Sequence, residues 1–556
     1  MKKTMLVQNL NRKRHAVAAA AATAALIVSM GGIEAANGQL RSLPTRHTRD
    51  VTVQGQAAFV QRLDAKQSLH IVIGLPIRNQ TDLDTFLENL YKPGSPNYQQ
   101  YLSVEQFTKM FGPTSNDYDA VIRFARENGM AITGTAPNRM IVEVDSSVAH
   151  IEKAFNVTMN VYQHPTENRT FYAPDREPTV NLSVPLWHIS GLDNYSIPRP
   201  NVSRNVALAP QPNLSGSGPG GYFLGSDLRK AYYANPGTLT GTGQTIGLLE
   251  YVGYDPADYQ TYFNTYGPPL TTTVTPVSTD GTQAICPTCE DAEQSLDIEY
   301  AISMAPGLSQ CIVYVGSTDA SLLNRMASDN TAKVISCSWS WRPADPQVDD
   351  PFFQQMATQG QTYASASGDS ASWGAGEYNF PQEDANVLCV GGTSLVTNGA
   401  GGPWQSETGW ADSGGGISPD HIRLPTWQHN NKVVNSRNHA SRTYRNGPDV
   451  AAEGDFQNWI CADNTCNGGW GGTSFACPEW AGYLALANQQ AVSHGNPTLG
   501  FANPAIYTVG EGPSYTSNFH DTRIGSNSGF SCVAGFDLVT GWGSMNGATL
   551  INTLAP

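Results

Sequence analysis

The chain has 556 residues, of which 40% are hydrophobic and only 14% charged, with 54 Gly and 35 Pro. A length beyond one packed core calls for two or more domains, and the composition suits a loop-rich extracellular protein while excluding a coiled coil or a disordered chain. The net charge of -15 is uneven: residues 1–214 carry 21 Lys/Arg against 17 Asp/Glu, and residues 215–556 carry 11 against 30. The acidic second part speaks against a nucleic-acid partner and, unless it serves solubility alone, for a working pH that neutralises carboxylates.

Residues 1–36 read as an export signal. Lys2, Lys3, Arg12, Lys13 and Arg14 form a basic start, residues 16–30 are an apolar run, and the small Ala35 and Ala36 follow. The run is short for a bilayer, and no later segment reaches the ~18 apolar residues of a spanning helix, so a soluble, secreted protein is expected. Residues 37–200 read as a front α+β domain with its core over about 50–190. Alternation predicts strands over 68–75, 139–144 and 157–163, and helical periodicity predicts helices over 82–91, 116–128 and 148–155. Two strand–helix–strand units of this kind give a ferredoxin-like sandwich. Residues 201–220 end in Ser-Gly-Ser-Gly-Pro-Gly-Gly, a linker composition, and an exposed join is where proteolytic maturation is easiest.

From 221 to 556 short apolar runs at 244–251, 310–315, 332–338 and 362–367 alternate with helical stretches such as 292–304 and 320–328. That alternation implies an α/β domain, a parallel sheet with helices on both faces and its chemistry at the carboxyl ends of the strands. All nine Cys lie in this part. Cys286/Cys289 and Cys461/Cys466 are the nearest neighbours; Cys-x-x-Cys invites a zinc or redox reading, but no second such pair and no nearby His pair completes a zinc set. An odd number leaves at least one thiol free or paired with another chain.

Three segments carry chemistry. Gly471-Gly472-Thr473-Ser474-Phe475-Ala476-Cys477-Pro478 precedes a helix over 479–489, so Ser474 is either a helix cap or a nucleophile supported by backbone N–H groups. The segment resembles the Gly-Thr-Ser-x-x-x-Pro signature of subtilisin-like peptidases, with Gly471 where Ser is usual. Of 11 His, none lies in the His-Gly-Thr that a subtilisin base needs; His494-Gly495-Asn496 is the nearest imitation. The alternative base is Glu293-Gln-Ser-Leu-Asp297. These two acids share one helical face, which continues through Tyr300, Ala301 and Met304 and is therefore the packed one. Burial and proximity raise carboxyl pKa values, so the pair titrates as a unit, unless both are solvated helix acids. Ala364-Ser-Ala-Ser-Gly-Asp369-Ser370 follows an apolar run. Asp369 is either an Asx turn or an oxyanion donor, and a carboxyl donates only while protonated.

Glu-x-x-x-Asp, Ser-Gly-Asp-Ser and Gly-Thr-Ser-x-x-x-Pro, in that order, resemble the sedolisin family of serine-carboxyl peptidases. The resemblance implies a subtilisin-like sheet, Glu293 as general base, Asp297 as its partner, Asp369 at the oxyanion and Ser474 as nucleophile. It also implies that Glu250 and Trp339 are the outer glutamate and its tryptophan. Residues 519–543 resemble the family's calcium loop, which implies one Ca²⁺ held by the carboxylates of Asp521 and Asp537 and the carbonyls of Thr522, Val533 and Gly535. Pro93-Gly-Ser-Pro-Asn-Tyr through Phe107 resembles the family's propeptide motif. A secreted zymogen of an acid endopeptidase is therefore expected, acting on proteins or peptides as a monomer, without nucleic acid or membrane, and inhibited by its own propeptide until acid loosens it. The rivals are a tripeptidyl exopeptidase of the same family and a non-catalytic secreted binding protein that keeps the fold.

Overall fold

In the front part, alternating apolar residues of Ser68–Gly74 and Ile141–Ser147 turn one face of a sheet towards the helices Ser115–Glu127 and Val148–Phe155. A computed structural model describes residues 40–205, 214–234, 238–342, 346–374 and 378–556; the export signal and residues 206–213 of the linker lie outside them. The antiparallel sheet runs Ala131–Thr135, Ile141–Ser147, Ser68–Gly74, His188–Ser190. One expectation is corrected here. The strand predicted over 157–163 forms, at Met159–Gln163, but leaves the sandwich. It pairs with Phe59–Arg62 and Thr170–Pro174 in a separate sheet, and His188–Ser190 takes the free edge beside Ser68–Gly74. The reason is local: Met159–Gln163 has its antiparallel partner a short turn away, and consecutive strands tend to pair.

The rear part is built on an eight-stranded sheet in the order Thr273–Ser278, Gln310–Val315, Thr245–Glu250, Val334–Cys337, Thr362–Ala366, Leu388–Thr397, Trp404–Gly409, with Val450–Glu453 also on Leu388–Thr397. All pairings are parallel except that of Trp404–Gly409. The chain enters at Thr245–Glu250, passes to the edge at Thr273–Ser278, fills the gap with Gln310–Val315 and then continues on the other side. The strand order therefore reverses between Thr245–Glu250 and Val334–Cys337, and a crevice opens at their carboxyl ends. Ala292–Met304 and Thr473–Ser493 share one apolar cluster, and Asp319–Asp329 and Pro346–Thr358 lie in another. Ala292–Met304 is buried all round, so its polar residues are core residues.

The second cluster also takes in Val72, Leu83, Phe107 and Phe111 of the front part, so residues 40–556 form one compact unit. Asn138 Nδ2 donates to Asn324 Oδ1 (2.7 Å) and Gln355 Oε1 (2.8 Å), and Tyr101 Oη donates to the Thr498 carbonyl (2.9 Å). Gly500 makes room for the ring hydroxyls of this docking: at φ +70° a Cβ there would stand 2.4 Å from Tyr101 Oη and 2.6 Å from Tyr91 Oη. Cys286–Cys289 and Cys461–Cys466 are disulfides, which removes the zinc reading, and Cys311, Cys337, Cys389, Cys477 and Cys532 are free and buried. Among the described residues no helix is long and apolar enough to cross a membrane.

One buried ion pair ties the far end of the sheet. Arg445 grips Asp449 with two bonds (2.9 and 2.7 Å), and Asp449 also accepts from Tyr507 Oη (2.6 Å), Asn503 Nδ2 (3.0 Å) and Cys389 N (2.8 Å). Removing one partner strands a buried charge, at a cost of about 3–5 kcal/mol. Asp449→Ala should therefore lower the thermal midpoint of the precursor markedly, as differential scanning calorimetry would record, whereas Arg62→Ala at an exposed pair should shift it little.

Candidate functional site

The crevice gathers three carboxyls that have no cation beside them. Glu250 ends its strand and accepts from Trp339 Nε1 at 2.8 Å. Asp297, on the helix Ala292–Met304, accepts from Ser338 Oγ at 2.8 Å. Glu293 lies one turn earlier on the same helix. All three are buried. Glu250 Oε1, Asp297 Oδ2 and both Glu293 oxygens lack a conventional donor. Carboxyl oxygens that face one another in a dry site are satisfied by a proton held between them. Burial, then the Asp297 charge, raise Glu250 and Glu293 well above the usual carboxyl range. Burial pushes Asp297 up to about 8, although bonds from Ser338 and Glu250 work against it.

Ser474 stands in the first turn of the helix Thr473–Ser493, which begins earlier than the predicted start at 479 and takes Pro478 inside it. Ser474 is therefore not the cap; Gly472 holds that position. The Ser474 hydroxyl donates to the Ser338 carbonyl at 3.4 Å. It lies near enough to Glu293 to lower that carboxyl's pKa, without closing a hydrogen bond of normal geometry to it.

Asp369 sits in the loop after Thr362–Ala366. Its Oδ1 accepts from Thr473 N (2.8 Å) and Thr473 Oγ1 (2.9 Å), which fixes the carboxyl. Its Oδ2 is buried and unpartnered, and lies 2.7 Å from where a Cβ on Gly472 would stand. Gly472 has φ +149°, and that same Cβ would meet the Asn201 carbonyl oxygen at 2.1 Å, so only glycine fits. Burial pushes Asp369 up to about 8. Below that value it is neutral and can donate. The Ser474 N–H donates to the Asn201 carbonyl at 3.2 Å. A backbone N–H, a carboxyl donor, a hydroxyl and a buried base thus surround one carbonyl position.

The predicted Glu293, Asp297, Asp369 and Ser474 come together, with Glu250 and Trp339 behind them. Ser338, Thr473 and Asn201 went unremarked in the sequence. Thr473 stood inside the nucleophile segment and Ser338 beside Trp339, so position alone could have drawn attention to them; Asn201 carried no signal.

The predicted cation ligands meet in a separate loop. Asp521 Oδ1 accepts from Gly535 N (3.0 Å) and Tyr515 Oη (3.0 Å), and its Oδ2 from Arg523 Nε (2.6 Å). Asp537 Oδ2 accepts from Val533 N (3.0 Å), and its Oδ1 from Val539 N (3.0 Å) and Thr540 N (2.9 Å). Residues 533–535 thus bridge the two carboxylates. Thr522 Oγ1 is buried with no partner. Among the described residues no group of three His, Cys, Asp or Glu could hold a metal, so a cation here would depend on carbonyl oxygens as well. The two carboxylates and neighbouring carbonyls would make the all-oxygen set a hard cation takes, in place of the Arg523 and backbone N–H donors that hold the carboxylates.

Both parts of the chain resemble known proteins. Residues 55–195 match the model of the pro-kumamolisin activation domain, and residues 300–499 that of the subtilase family. The chain is 30% identical to kumamolisin of Bacillus sp. (strain MN-32), over 83% of this chain and 87% of the relative. It is 28% identical to xanthomonalisin of Xanthomonas sp. (strain T-22), over 88% of this chain and 66% of the relative. A solved structure of Pseudomonas sedolisin, a serine-carboxyl proteinase complexed with two molecules of pseudo-iodotyrostatin, matches with a TM-score of 0.51. It is 26% identical and covers 59% of this chain and 96% of its own.

The raised carboxyls predict an unusual pH dependence. Asp297 and Asp369 stand at about 8 when folded, against ~4 in an unfolded chain. Between those limits the folded state binds more protons, so their contribution is full below ~4 and is lost as pH rises through about 8. In a Ser474→Ala precursor, hydrogen exchange in the helix Ala292–Met304, corrected for intrinsic pH effects, should be slower at pH 5 than at pH 8.

Proposed function

Because the chain belongs to the sedolisin family of serine-carboxyl peptidases, we propose that it is the secreted precursor of an acid-acting endopeptidase that cuts proteins through an acyl-enzyme on Ser474. The observation that carries this reading is the single carbonyl position shared by Ser474 N–H and the unpartnered oxygen of Asp369, with Glu293 beside the nucleophile. Ser474 Oγ attacks the peptide carbonyl and its proton passes to Glu293. Asp297, held by Ser338 and Glu250, shares that proton and fixes the orientation of the base. The oxyanion takes hydrogen bonds from Ser474 N–H and protonated Asp369. The C–N bond breaks, Glu293 returns the proton to the amine, and water then hydrolyses the ester with Glu293 as base again.

Acid enters this mechanism twice. Asp369 donates only below its pKa, and the front part weakens as pH falls. There His188 is half-buried and stacked on the buried His47 at 4.5 Å. Burial, then the His47 and Arg49 charges, hold it well below 6.5, while Glu177 works the other way. A lowered histidine contributes stability above ~6.5 that is lost as pH falls. Glu177 is held at about 2 against its desolvation by bonds from His47 and Thr48, and its contribution fades below ~4. The front part therefore loosens under the conditions that favour the rear part's neutral carboxyls. The endopeptidase reading keeps both ends of the cleft open to a protein chain; a tripeptidyl exopeptidase would need one end closed and an acidic anchor for the substrate amine.

An internally quenched peptide assayed from pH 3 to 9 tests the site. Ser474→Ala should lose at least about 10⁴-fold in kcat/KM. Asp369→Ala should lose about 10²–10³-fold. Asp369→Asn, a donor at every pH, should keep more activity than Asp369→Ala and carry its basic limb to higher pH. An unchanged rate in Ser474→Ala would overturn the proposal.

The C-terminal loop is proposed to hold one Ca²⁺ through the carboxylates of Asp521 and Asp537 and the carbonyls of Thr522, Val533 and Gly535, supported by the meeting of the two carboxylates on residues 533–535. The ion would stabilise the fold and take no part in the chemistry. A chelator should lower the thermal midpoint of the Ser474→Ala precursor by several degrees, added Ca²⁺ should restore it, and Asp537→Ala should abolish the difference.

A further inference from the structure

We propose that the first bond this precursor cuts is its own Asn201–Val202 peptide bond, and that the pocket around Asn201 selects a side-chain carboxamide at the residue before the cut. The inference rests on reading Ser474 as the nucleophile. Residues 199–205 lie through the crevice as an extended strand clamped on both sides. Upstream, Arg199 and Pro200 pair antiparallel with Ser340 and Trp339. Downstream, Ser203 and Arg204 pair antiparallel with Gly471 and Trp470, and Asn205 N donates to Gly469 O at 2.9 Å. The partner changes between these pairs, and the carbonyl at the change-over is that of Asn201.

Asn201 N donates to Ser338 O (2.9 Å) and Asn201 O accepts from Ser474 N (3.2 Å). A Cβ on Gly472 would touch both the Asn201 carbonyl oxygen (2.1 Å) and Asp369 Oδ2 (2.7 Å), so these two oxygens lie over the same glycine. A carbonyl held so is where attack by Ser474 Oγ must occur. The C–N bond between Asn201 and Val202 breaks as the Oγ–C bond forms. The Ser474 proton reaches Val202 N by way of Glu293, and water releases Asn201 as a carboxylate.

The side chain of Asn201 supplies the specificity. It is buried, at 7% exposure. Its Nδ2 donates to Ser340 Oγ at 2.8 Å, and Ser340 Oγ lies 3.1 Å from its Oδ1. Ser340 Oγ is also 3.4 Å from Gln382 Oε1, and Gln382 Nε2 is fixed on the carbonyls of Tyr378 (2.8 Å) and Ser367 (3.4 Å). An amide both gives and takes a hydrogen bond here. A Leu side chain takes away both of the short amide bonds of Ser340 and leaves it only the 3.4 Å contact with Gln382, and an ionised Asp presents acceptors only, towards a pocket that already holds the Gln382 carbonyl.

The full precursor, shifted to about pH 4 where carboxyls take up protons, should release a first large fragment beginning at Val202. N-terminal sequencing and intact mass would identify it, and its rate should not depend on precursor concentration. Quenched peptides carrying Pro-Asn-Val should be cut at least tenfold faster, as kcat/KM, than those carrying Pro-Leu-Val or, at pH 6, Pro-Asp-Val. Asn201→Leu should slow the first cut by a similar factor or move it. A first fragment beginning elsewhere, with the wild-type rate kept in Asn201→Leu, would overturn the bond assignment, and equal peptide rates would overturn the pocket. Either result leaves Ser474 untouched so long as the wild type cuts peptide and Ser474→Ala does not; self-cutting by purified Ser474→Ala would instead sink the nucleophile on which the inference stands.

Discussion

A carboxyl group taken out of water with no cation beside it must hold a proton, and the crevice of this protein is organised by that constraint. Glu250, Asp297 and Glu293 are packed between the sheet and the helix Thr473–Ser493, with Trp339 and Ser338 as the donors that reach them. Ionising all three would cost more than the fold can hold, so the cluster keeps protons and passes them within itself. This is why a helix buried on every side can carry acids facing the nucleophile. The proposed mechanism accordingly uses a carboxyl base where a wetter triad would use an imidazole.

The same constraint gives the two parts opposite responses to acid. The rear part buries carboxyls that gain from protonation; beyond the crevice, Glu383 is pushed up to about 9, chiefly by burial and then by Asp420. The front part does the reverse. Its half-buried His188 is held below the usual imidazole range and its Glu177 below the usual carboxyl range. A fall in pH therefore favours these carboxyls of the rear part and works against these two groups of the front part. The cover is fastened by amide and hydroxyl bonds from Asn138 and Tyr101, which do not titrate in this range. The Arg49 charge, already paired with Asp193, also draws on Asp319 of the rear part, working against the burial that raises it. The pH sensitivity thus lies within the folds of the two parts as well as between them.

Much of this was legible before any fold was known. The pair Glu293 and Asp297 could be seen because a helical period places residues four apart on one face, and the apolar Tyr300, Ala301 and Met304 said which face. Asp369 and Ser474 stood at element ends that composition marks. What stayed hidden depends on partners distant in sequence. Periodicity identified a strand over 157–163 but could not say which sheet it would join, since pairing is decided by the neighbour that folds back first. Ser338 is one serine among many until the strand order places it at the reversal of the sheet. Asn201 reads as linker because its position is set by residues 339–340 and 470–471, which no local pattern connects to it.

The linker strand also explains how the resting state is kept. By lying over Gly472 and Ser474 it covers the crevice in which burial, and then the Asp297 charge, raise Glu293. A protonated base cannot accept from Ser474, so the bond most favourably placed for attack is shielded by its own presence. Loosening of the front part admits water, relieves the burial that raises Glu293 and so frees the base. Once the strand has left, the dry state cannot re-form from the same chain, and a change in hydration that was reversible becomes a permanent one through the covalent step.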